Sequence, residues 1–547
     1  MSAEQLDRLG PAGTGRTTSR RYGVETFQRR NRVIAVLSGL GLLVFAGALI
    51  LVLLHSITLA VVIGIALLAT VAAILIWQDP ARGVYVLFLA AVMMETQFDK
   101  TVPNDWMARW LPFFLDISSW TKIRFIFSLA EIFMVLVLLI WFLRGIAKRN
   151  LTFNFGTLGL PIGLYMSMVA VGELHAVLGG GNARLSLWEI RAQVYMLVAY
   201  ILACNILRTR KQIVTLLWLL VAGTLFRAFD GIIRYMTLLR GRKQLNPPYV
   251  FSHEEAFFLV AVVTLALIFL LYGGPKWLRR ATYLSVPPIL LALLVGQRRA
   301  ALLGLAVAVI GLLLVTVITN PRRRLLAALI LIAGAVALPP YYVVFHNHYG
   351  TIAGPARSID SALHPNNRDN NSNLYRQNED KDIMLTARIN PIIGFGYGKP
   401  MLAPFPLPGL NTVSKTYTFW NILPHNSVLW VWMRVGVIGF VFFWILIFMA
   451  IRQSMLAMQK LRDSFLKGIA LWIALVIIEE VILGWFDIQW TNYRNLIAVG
   501  ILFGIVSLLT RRGDELAAEG TEPVRVPRKR GRRAPQPSLA AADGPAH

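Results

Sequence analysis

The stretch EAFFLVAVVTLALIFLLY, residues 255–272, decides the fold class, because it carries no charged residue over the seventeen positions after Glu255. At 1.5 Å per residue, a helix of this length crosses most of the ~30 Å hydrocarbon layer of a bilayer. Similar apolar runs recur from Val33 to Thr510. The sequence therefore predicts an all-α, polytopic integral membrane protein.

Working outward from that run, we predict about 12–14 transmembrane helices. Charged residues make up 15% of the 547 residues, against roughly 25% in a soluble domain, which excludes an ordinary soluble enzyme. One cysteine, Cys204, builds neither a disulfide framework nor a cysteine metal site within one chain. The fourteen candidate spans, of which the third and ninth are short, lie near 33–54, 57–77, 81–96, 124–144, 157–177, 191–207, 213–236, 255–272, 281–297, 299–320, 325–345, 427–451, 464–485 and 493–510.

The charge distribution predicts the topology. The formal net charge is +26, and because the apolar runs are nearly uncharged, the basic residues must lie in loops and tails, against anionic lipids or substrates. The arginine-rich start of the chain predicts that both termini are cytoplasmic, and most turns then satisfy the positive-inside rule. Two basic groups fall at the outer face instead, namely Arg240, Arg242 and Lys243, and the pair Arg298 and Arg299. Either a local error in the predicted topology explains them, or they bind an anion outside.

We divide the chain into five regions. These are a basic cytoplasmic tail (1–32), a first helix bundle (33–345), a large extracytoplasmic loop (346–424), a last helix bundle (425–510) and a basic, disordered cytoplasmic tail (511–547). The loop is far longer than a helix connection requires. We expect it to close over a site, with a disordered spacer as the alternative.

One predicted span carries three charges on one face. Arg227, Asp230 and Arg234 are three to four residues apart, so Asp230 is able to neutralise either arginine. Internal pairing is one interpretation. The other is that one arginine stays available for a ligand phosphate, because guanidinium offers bidentate donors and keeps its charge.

Two motifs fall within the large loop. PIIGFGYG, residues 391–398, contains Gly394 and Gly396, and we expect a tight turn that brings backbone amides close to a bound molecule. Arg376 stands fifteen residues before this motif, and Arg388 is the second candidate arginine. Glu379, Asp380 and Asp382 lie in the same hydrophilic stretch, and a solvated face is the interpretation we favour for these acids over a metal site.

Two further motifs precede predicted helices. PHN, residues 424–426, leads into VGVIGF, residues 435–440. There His425 is able to exchange a proton near neutral pH, and Asn426 is able to cap the helix. GQRRAAL, residues 296–302, holds the two outer arginines Arg298 and Arg299.

Together these segments resemble the O-antigen ligase and O-antigen polymerase superfamily. Residues 391–398 are similar to its Pro-x-x-Gly-x-Gly-x-Gly stretch, and Arg376 to its functional loop arginine. His425-Asn426 with residues 435–440 resembles its His-Asn followed by Gly-Leu-Ile-Gly, and residues 296–302 resemble its Ser-Arg-Gly-Ala turn, with Arg299 at the arginine and Arg298 at the serine. A weaker likeness aligns FSHEEA, residues 251–256, with Phe-x-Asn-Pro-Asn, where the family's asparagines are replaced.

The resemblance implies a GT-C-like enzyme, a metal-independent inverting glycosyltransferase of ligase or polymerase type. It would move a glycan from a polyprenyl diphosphate carrier to the hydroxyl of a glycan, lipid or cell-wall acceptor at the outer face of the cytoplasmic membrane, with no cofactor and no nucleic acid. The residues expected to carry catalysis are His425, Arg376 and Arg299. The residues expected to bind the diphosphate or glycan are Arg298, Arg388, Asn426, Gly394, Gly396, Arg227 and Arg234.

A second function class stays open. A flippase for lipid-linked glycans or a secondary transporter also has many helices and charges inside the membrane. Such proteins usually show internal repeats, and none is visible in this sequence. A lipid-diphosphate-dependent peptidoglycan polymerase and a structural scaffold are weaker alternatives.

Overall fold

The computed structural model confirms an all-α, multi-pass membrane protein. It describes residues 47, 70–95, 112–120, 126–239, 250–296, 298–348, 350–410 and 419–521. Within these ranges, eleven helices are long and apolar enough to span a membrane. The helices are α1 (Ala81–Met93), α2 (Ile117–Trp120), α3 (Leu129–Ala147), α4 (Gly159–Leu178), α5 (Ala183–Ile206), α6 (Arg210–Arg234), α7 (Glu255–Tyr272), α8 (Lys276–Gly296), α9 (Arg299–Thr319), α10 (Arg324–Phe345), α11 (Gly354–Leu363), α12 (Asn367–Ala387), α13 (Ser427–Lys460), α14 (Ser464–Phe486) and α15 (Tyr493–Thr521).

Burial sorts the helices into a centre and a rim. α7 is apolar on all sides and nearly completely buried among α8, α9 and α14, as expected of a helix in the core of a bundle. α15 packs along α5, and α13 packs against α4 and α14. α10 is equally apolar, but Ala327 is its one buried residue. Its exposed side chains, such as Leu329 and Val336, therefore face the acyl chains of the bilayer.

Most predicted spans agree with the structure to within a few residues. Eleven of the fourteen correspond to the long helices α3 to α10 and α13 to α15, and the third corresponds to the short α1. The predicted span 33–54 and most of 57–77 lie outside the described residues, as do Arg240, Arg242, Lys243 and the N-terminal tail 1–32.

The last helix is longer than predicted. α15 continues to Thr521, whereas the prediction ended the last span near Thr510 and made the tail disordered from 511. Leu516 is fully buried, and Arg512 pairs with Glu515 one turn later. The added part follows a kink at Arg512, whose φ of −128° and ψ of 21° are not helical, and the buried Leu516 anchors it. Residues 522–547 lie outside the described part.

The large loop is structured where it is described. It contains the amphipathic α11 and the hydrophilic α12, which packs against α13. The four segments that precede α7, α9, α13 and α15 meet α12 at one end of the bundle. We call this the site end.

Candidate active site

The centre of the site is His425, held by a buried carboxylate of α12. The Nδ1 of His425 donates to the Glu379 carboxylate at 3.1 Å, and the backbone N–H of His425 donates to the same group at 3.1 Å. The side chain of Glu379 is 1% exposed and that of His425 is 23% exposed. Because Nδ1 is engaged, Nε2 is the nitrogen available for proton exchange.

The next residue anchors α13. The Asn426 side-chain oxygen accepts from the backbone N–H of Leu429 at 3.0 Å, as predicted for a helix cap. Its Nδ2 donates to Asp380 at 3.1 Å. Adjacent carboxylates of α12 therefore bind the two residues that precede α13, and this fixes the orientation of the His425 ring.

The solvated face predicted for the acids of α12 is wrong. Glu379 and Asp382 are buried, and Asp380 is half-buried. Asp382 accepts from the backbone N–H of Phe405 at 3.2 Å. The sequence shows a hydrophilic helix, but the packing of α12 against α13 and residues 401–407 turns its acidic face inward.

The carboxylates control the protonation of this site. Burial lowers the pKa of the His425 imidazole, but the Glu379 carboxylate more than offsets this, so the pKa lies above its usual value. Burial, with Glu379 beside it, raises the pKa of Asp380 to about 6. The two pKa values are therefore raised by different causes, that of His425 by a neighbouring carboxylate and that of Asp380 chiefly by burial.

Arg376 lies beside this pair and Arg388 does not. Arg376 is close enough to act electrostatically on both Asp380 and His425. It is half-buried, and it forms no ion pair within 4 Å in the part of the chain that the structure describes. Arg388 is exposed at the far end of α12, twelve residues on, or about 18 Å along the axis.

A second imidazole faces the first. The rings of His253 and His425 have centroids 6.0 Å apart in an edge-to-face arrangement. The Nδ1 of His253 contacts Asp487, which follows α14, and lies 2.9 Å from a guanidinium nitrogen of Arg298. Arg298 also donates to the carbonyl of Phe251 at 3.2 Å. The weak sequence likeness at residues 251–256 did not identify His253 as part of the site.

Arg299 reaches the site through α12. Arg299 donates to Asp369 at 2.7 Å, and its side chain is 38% exposed. The structure therefore brings His425, Asn426, Arg376, Arg298 and Arg299 to one end of the bundle. The three arginines among them are partly exposed.

The glycine motif binds to a break in α13. Gly436 has a φ of 66° within the helix, which leaves carbonyls and amides on either side without helical partners. The backbone N–H groups of Phe395 and Gly396 donate to the carbonyls of Met433 and Arg434, at 2.8 and 3.2 Å. In return, the N–H of Val437 donates to the carbonyl of Pro391 at 2.8 Å.

This joint gives Gly394 and Gly396 a role that differs from the one predicted. Both have positive φ, and a Cβ on Gly394 would lie 2.3 Å from the Arg434 carbonyl oxygen. The N–H of Gly394 donates to the carbonyl of Asn390 and that of Gly396 to α13. Their amides therefore hold the loop to the helix and are not directed at a bound molecule.

An arginine that the sequence interpretation missed holds the same joint. Arg434 is fully buried and pairs with Glu189 at 2.5 Å. It also donates to the carbonyls of Gly396 and Lys399, at 2.8 and 2.9 Å. A charged residue inside the predicted span 427–451 was a visible signal, but its carbonyl partners lie up to 38 residues away in sequence.

Arg227 and Arg234 lie in a separate ionic cluster. Arg227 is fully buried and pairs with Glu95, with Asp230 at 2.9 Å and with Glu255 at 2.9 Å. Arg234 pairs with Glu95 at 3.0 Å and Asp230 at 2.9 Å. Of the two interpretations left open by the sequence, this geometry agrees with internal pairing of the arginines with carboxylates. Carboxylates occupy the directions in which a phosphate would bind.

Comparison with known proteins supports the family resemblance. No curated protein gives a significant match to the chain. A family model described as "O-Antigen ligase" matches residues 284–444, from α8 to the first half of α13. The match includes Arg298, Arg299, Arg376, the glycine motif and His425, and it excludes His253 and Asp487. It confirms the predicted likeness to the O-antigen ligase and polymerase superfamily, and that likeness supports a ligase- or polymerase-like role in glycan transfer.

Proposed function

We propose that this protein transfers a glycan from a polyprenyl diphosphate carrier to an acceptor hydroxyl at the outer face of the cytoplasmic membrane. The observation that carries the proposal is the His425–Glu379 pair beside Arg376 at the site end. An imidazole oriented by a buried carboxylate is suited to accept a proton from a hydroxyl. A neighbouring arginine without an ion pair in the described residues is suited to bind phosphate.

In this proposal His425 is the general base. Its Nδ1–H stays on Glu379, and its Nε2 takes the proton of the acceptor hydroxyl as the oxygen attacks the anomeric carbon. The bond between that carbon and the phosphate oxygen breaks, and the electron pair leaves with the diphosphate. A single displacement inverts the anomeric centre.

The arginines stabilise the leaving group. Charge develops on the diphosphate as the glycosidic bond breaks, and guanidinium groups already in place lower the energy of that state. Arg376, Arg299 and Arg298 are the proposed contacts. We assign the remaining predicted residues to support: Asn426 caps α13, Gly394 and Gly396 hold the loop, Arg227 and Arg234 hold the helices, and Arg388 makes no contact with the donor.

The decisive experiment is turnover of a lipid-diphosphate-linked oligosaccharide by the purified protein in nanodiscs with EDTA. We expect wild type to release polyprenyl diphosphate and the folded His425→Asn variant to be slower by about 10²–10⁴-fold, the usual loss of a general base. A ladder of product sizes would identify a polymerase, and a single transfer to a different acceptor would identify a ligase.

The alternative function gives a different result in the same nanodiscs and in liposomes. A folded wild type that leaves the donor intact with several acceptors, but moves it between leaflets, would replace the transferase proposal with a flippase. Activity that requires a divalent metal after EDTA treatment would contradict the proposed metal-independent mechanism.

A further inference from the structure

Two imidazole–carboxylate pairs face each other at the site end, and the mechanism above uses one of them. His425 has Glu379, and His253 has Asp487. The side chains of both histidines are about one quarter exposed, whereas both carboxylates are buried. Asp487 comes from the segment after α14 and His253 from the segment before α7, so three helix ends bring the second pair to the first.

The Nδ1 of His253 has two neighbours that require different protonation states. Asp487 accepts a proton from Nδ1, whereas Arg298, at 2.9 Å, has only protons to donate. One nitrogen cannot serve both at once. If Nδ1 donates to Asp487, Arg298 has to direct its donors elsewhere. The Arg298 guanidinium lies 3.7 Å from the Asp487 carboxylate, which is longer than a hydrogen bond.

Charge decides which state the site adopts. The charged groups facing His253 are Asp487, Arg298 and His425, with Glu254 next in the chain. Burial and the Arg298 cation lower the pKa of His253 despite Asp487. Without an anion the ring therefore loses its proton more readily than an ordinary imidazole. An anion bound to Arg298 would oppose that cation and favour a charged ring.

We propose that His253 takes up a proton when a diphosphate binds and then holds that diphosphate together with Arg298. The inference rests on the proposed function for the identity of the ligand. Its proton comes from water, and no covalent bond changes. The Nδ1–H of the charged ring stays on Asp487, Arg298 turns to the anion, and the Nε2–H adds a charged donor to the site.

The sequence offers a matched variant. His253 stands where the resembled family tends to have asparagine, in FSHEEA against Phe-x-Asn-Pro-Asn. His253→Asn therefore keeps a hydrogen-bonding side chain and removes the titratable group. If the inference holds, proton-coupled binding of the diphosphate is a property of this chain and not of the family pattern.

The test is calorimetric titration of the full-length protein in nanodiscs with farnesyl diphosphate, in two buffers of different ionisation enthalpy at pH 7.5. We expect wild type to take up about one proton per ligand and its affinity to fall by up to tenfold per pH unit above neutrality. The His253→Asn variant should lose the uptake and bind with a flatter pH dependence. The His425→Asn variant should retain the uptake, and farnesol should cause none.

The outcomes separate this inference from the proposed function. Equal proton uptake in wild type and His253→Asn, with glycan transfer intact, would overturn the role of His253 alone. Failure of wild type both to bind farnesyl diphosphate and to turn over donor would overturn both. Should His253→Asn not fold, as judged by thermal unfolding, the ¹⁵N shifts of the His253 ring in wild type decide: they report a charged ring on ligand addition, or they contradict the proposal.

Discussion

Two groups of arginines lie near the site end of this bundle and differ in their burial and in the carboxylates that they contact. Arg227 and Arg234 are at most 4% exposed, and each pairs with at least two carboxylates. Arg298 and Arg299 are 21% and 38% exposed, and they lie 3.7 Å from Asp487 and 2.7 Å from Asp369. Buried arginines that pair with several carboxylates hold helices together, whereas partly exposed arginines are suited to bind an anion.

The ionic cluster that contains Arg227 and Arg234 extends to the segment that carries His253. Arg494, at the start of α15, pairs with Glu255 at 2.6 Å and donates to the carbonyls of Ala91 and Val92 at the end of α1. Glu255 lies two residues after His253. The ionic cluster therefore joins α1, α6, α7 and α15 beneath the loop that carries the second histidine.

The largest expected effect comes from breaking the buried group. Arg227→Met leaves Glu95, Asp230 and Glu255 short of a cation in the bundle interior. We expect a loss of about 3–5 kcal/mol in stability, the usual cost of an uncompensated buried charge, measured by unfolding in detergent. Arg388→Met, at an exposed site, is the control and should be neutral. A stable Arg227→Met that no longer binds farnesyl diphosphate would move Arg227 into the donor site.

The second effect tests Arg376, which like Arg298 and Arg299 lies partly exposed at the site end. Arg376→Ala should keep the stability of wild type and reduce kcat/KM for the lipid-linked donor by about 10²–10³-fold, as expected for loss of one preorganised cation. Arg388→Ala, on the same helix but about 18 Å away, should retain full turnover. Equal losses in both variants would mean that the overall charge of α12 matters and that the position of Arg376 does not.

Sequence patterns predicted the helices better than the interactions between them. Apolar runs predicted the eleven long helices, because the thickness of the bilayer sets the length of a membrane helix. The motif residues His425, Arg376 and Arg299 were named from local pattern. Glu379 was assigned to a solvated face, and Arg434 and Asp487 were not named, because their roles depend on partners 46, 38 and 234 positions away in the chain.

The glycines illustrate the same limit. A pattern of three alternating glycines in residues 391–398 predicts positive φ, and Gly394, Gly396 and Gly398 all have it. The pattern does not indicate which part of the protein the glycine backbone contacts closely. Residues 391–396 form hydrogen bonds with the backbone of α13 on either side of its break at Gly436. The two segments are more than 35 residues apart, so this contact exists only in the folded chain.

The smallest expected effect is a shift of the pH profile. Glu379 raises the pKa of His425 above its usual value, against the effect of burial. A protonated ring cannot accept the hydroxyl proton, so wild-type turnover should fall as the pH drops through that raised value. Glu379→Gln removes the stabilising carboxylate and leaves the effect of burial. The acidic limb should then move to lower pH by about one to two units, the worth of a charge-assisted hydrogen bond.

The neighbouring carboxylate provides the control for this last comparison. Asp380, whose pKa is raised to about 6, bonds Asn426 and makes no hydrogen bond to His425 in the described part of the chain. Asp380→Asn should therefore shift the limb less than Glu379→Gln, measured as kcat/KM from pH 5 to 9. Glu379 stabilises the charged His425 ring. The His425–Glu379 pair therefore adds folding stability at low pH, and this stability is lost as the pH rises through the raised pKa of His425. A Glu379→Gln profile that moves to higher pH would mean that a group other than the His425 imidazole sets the acidic limb.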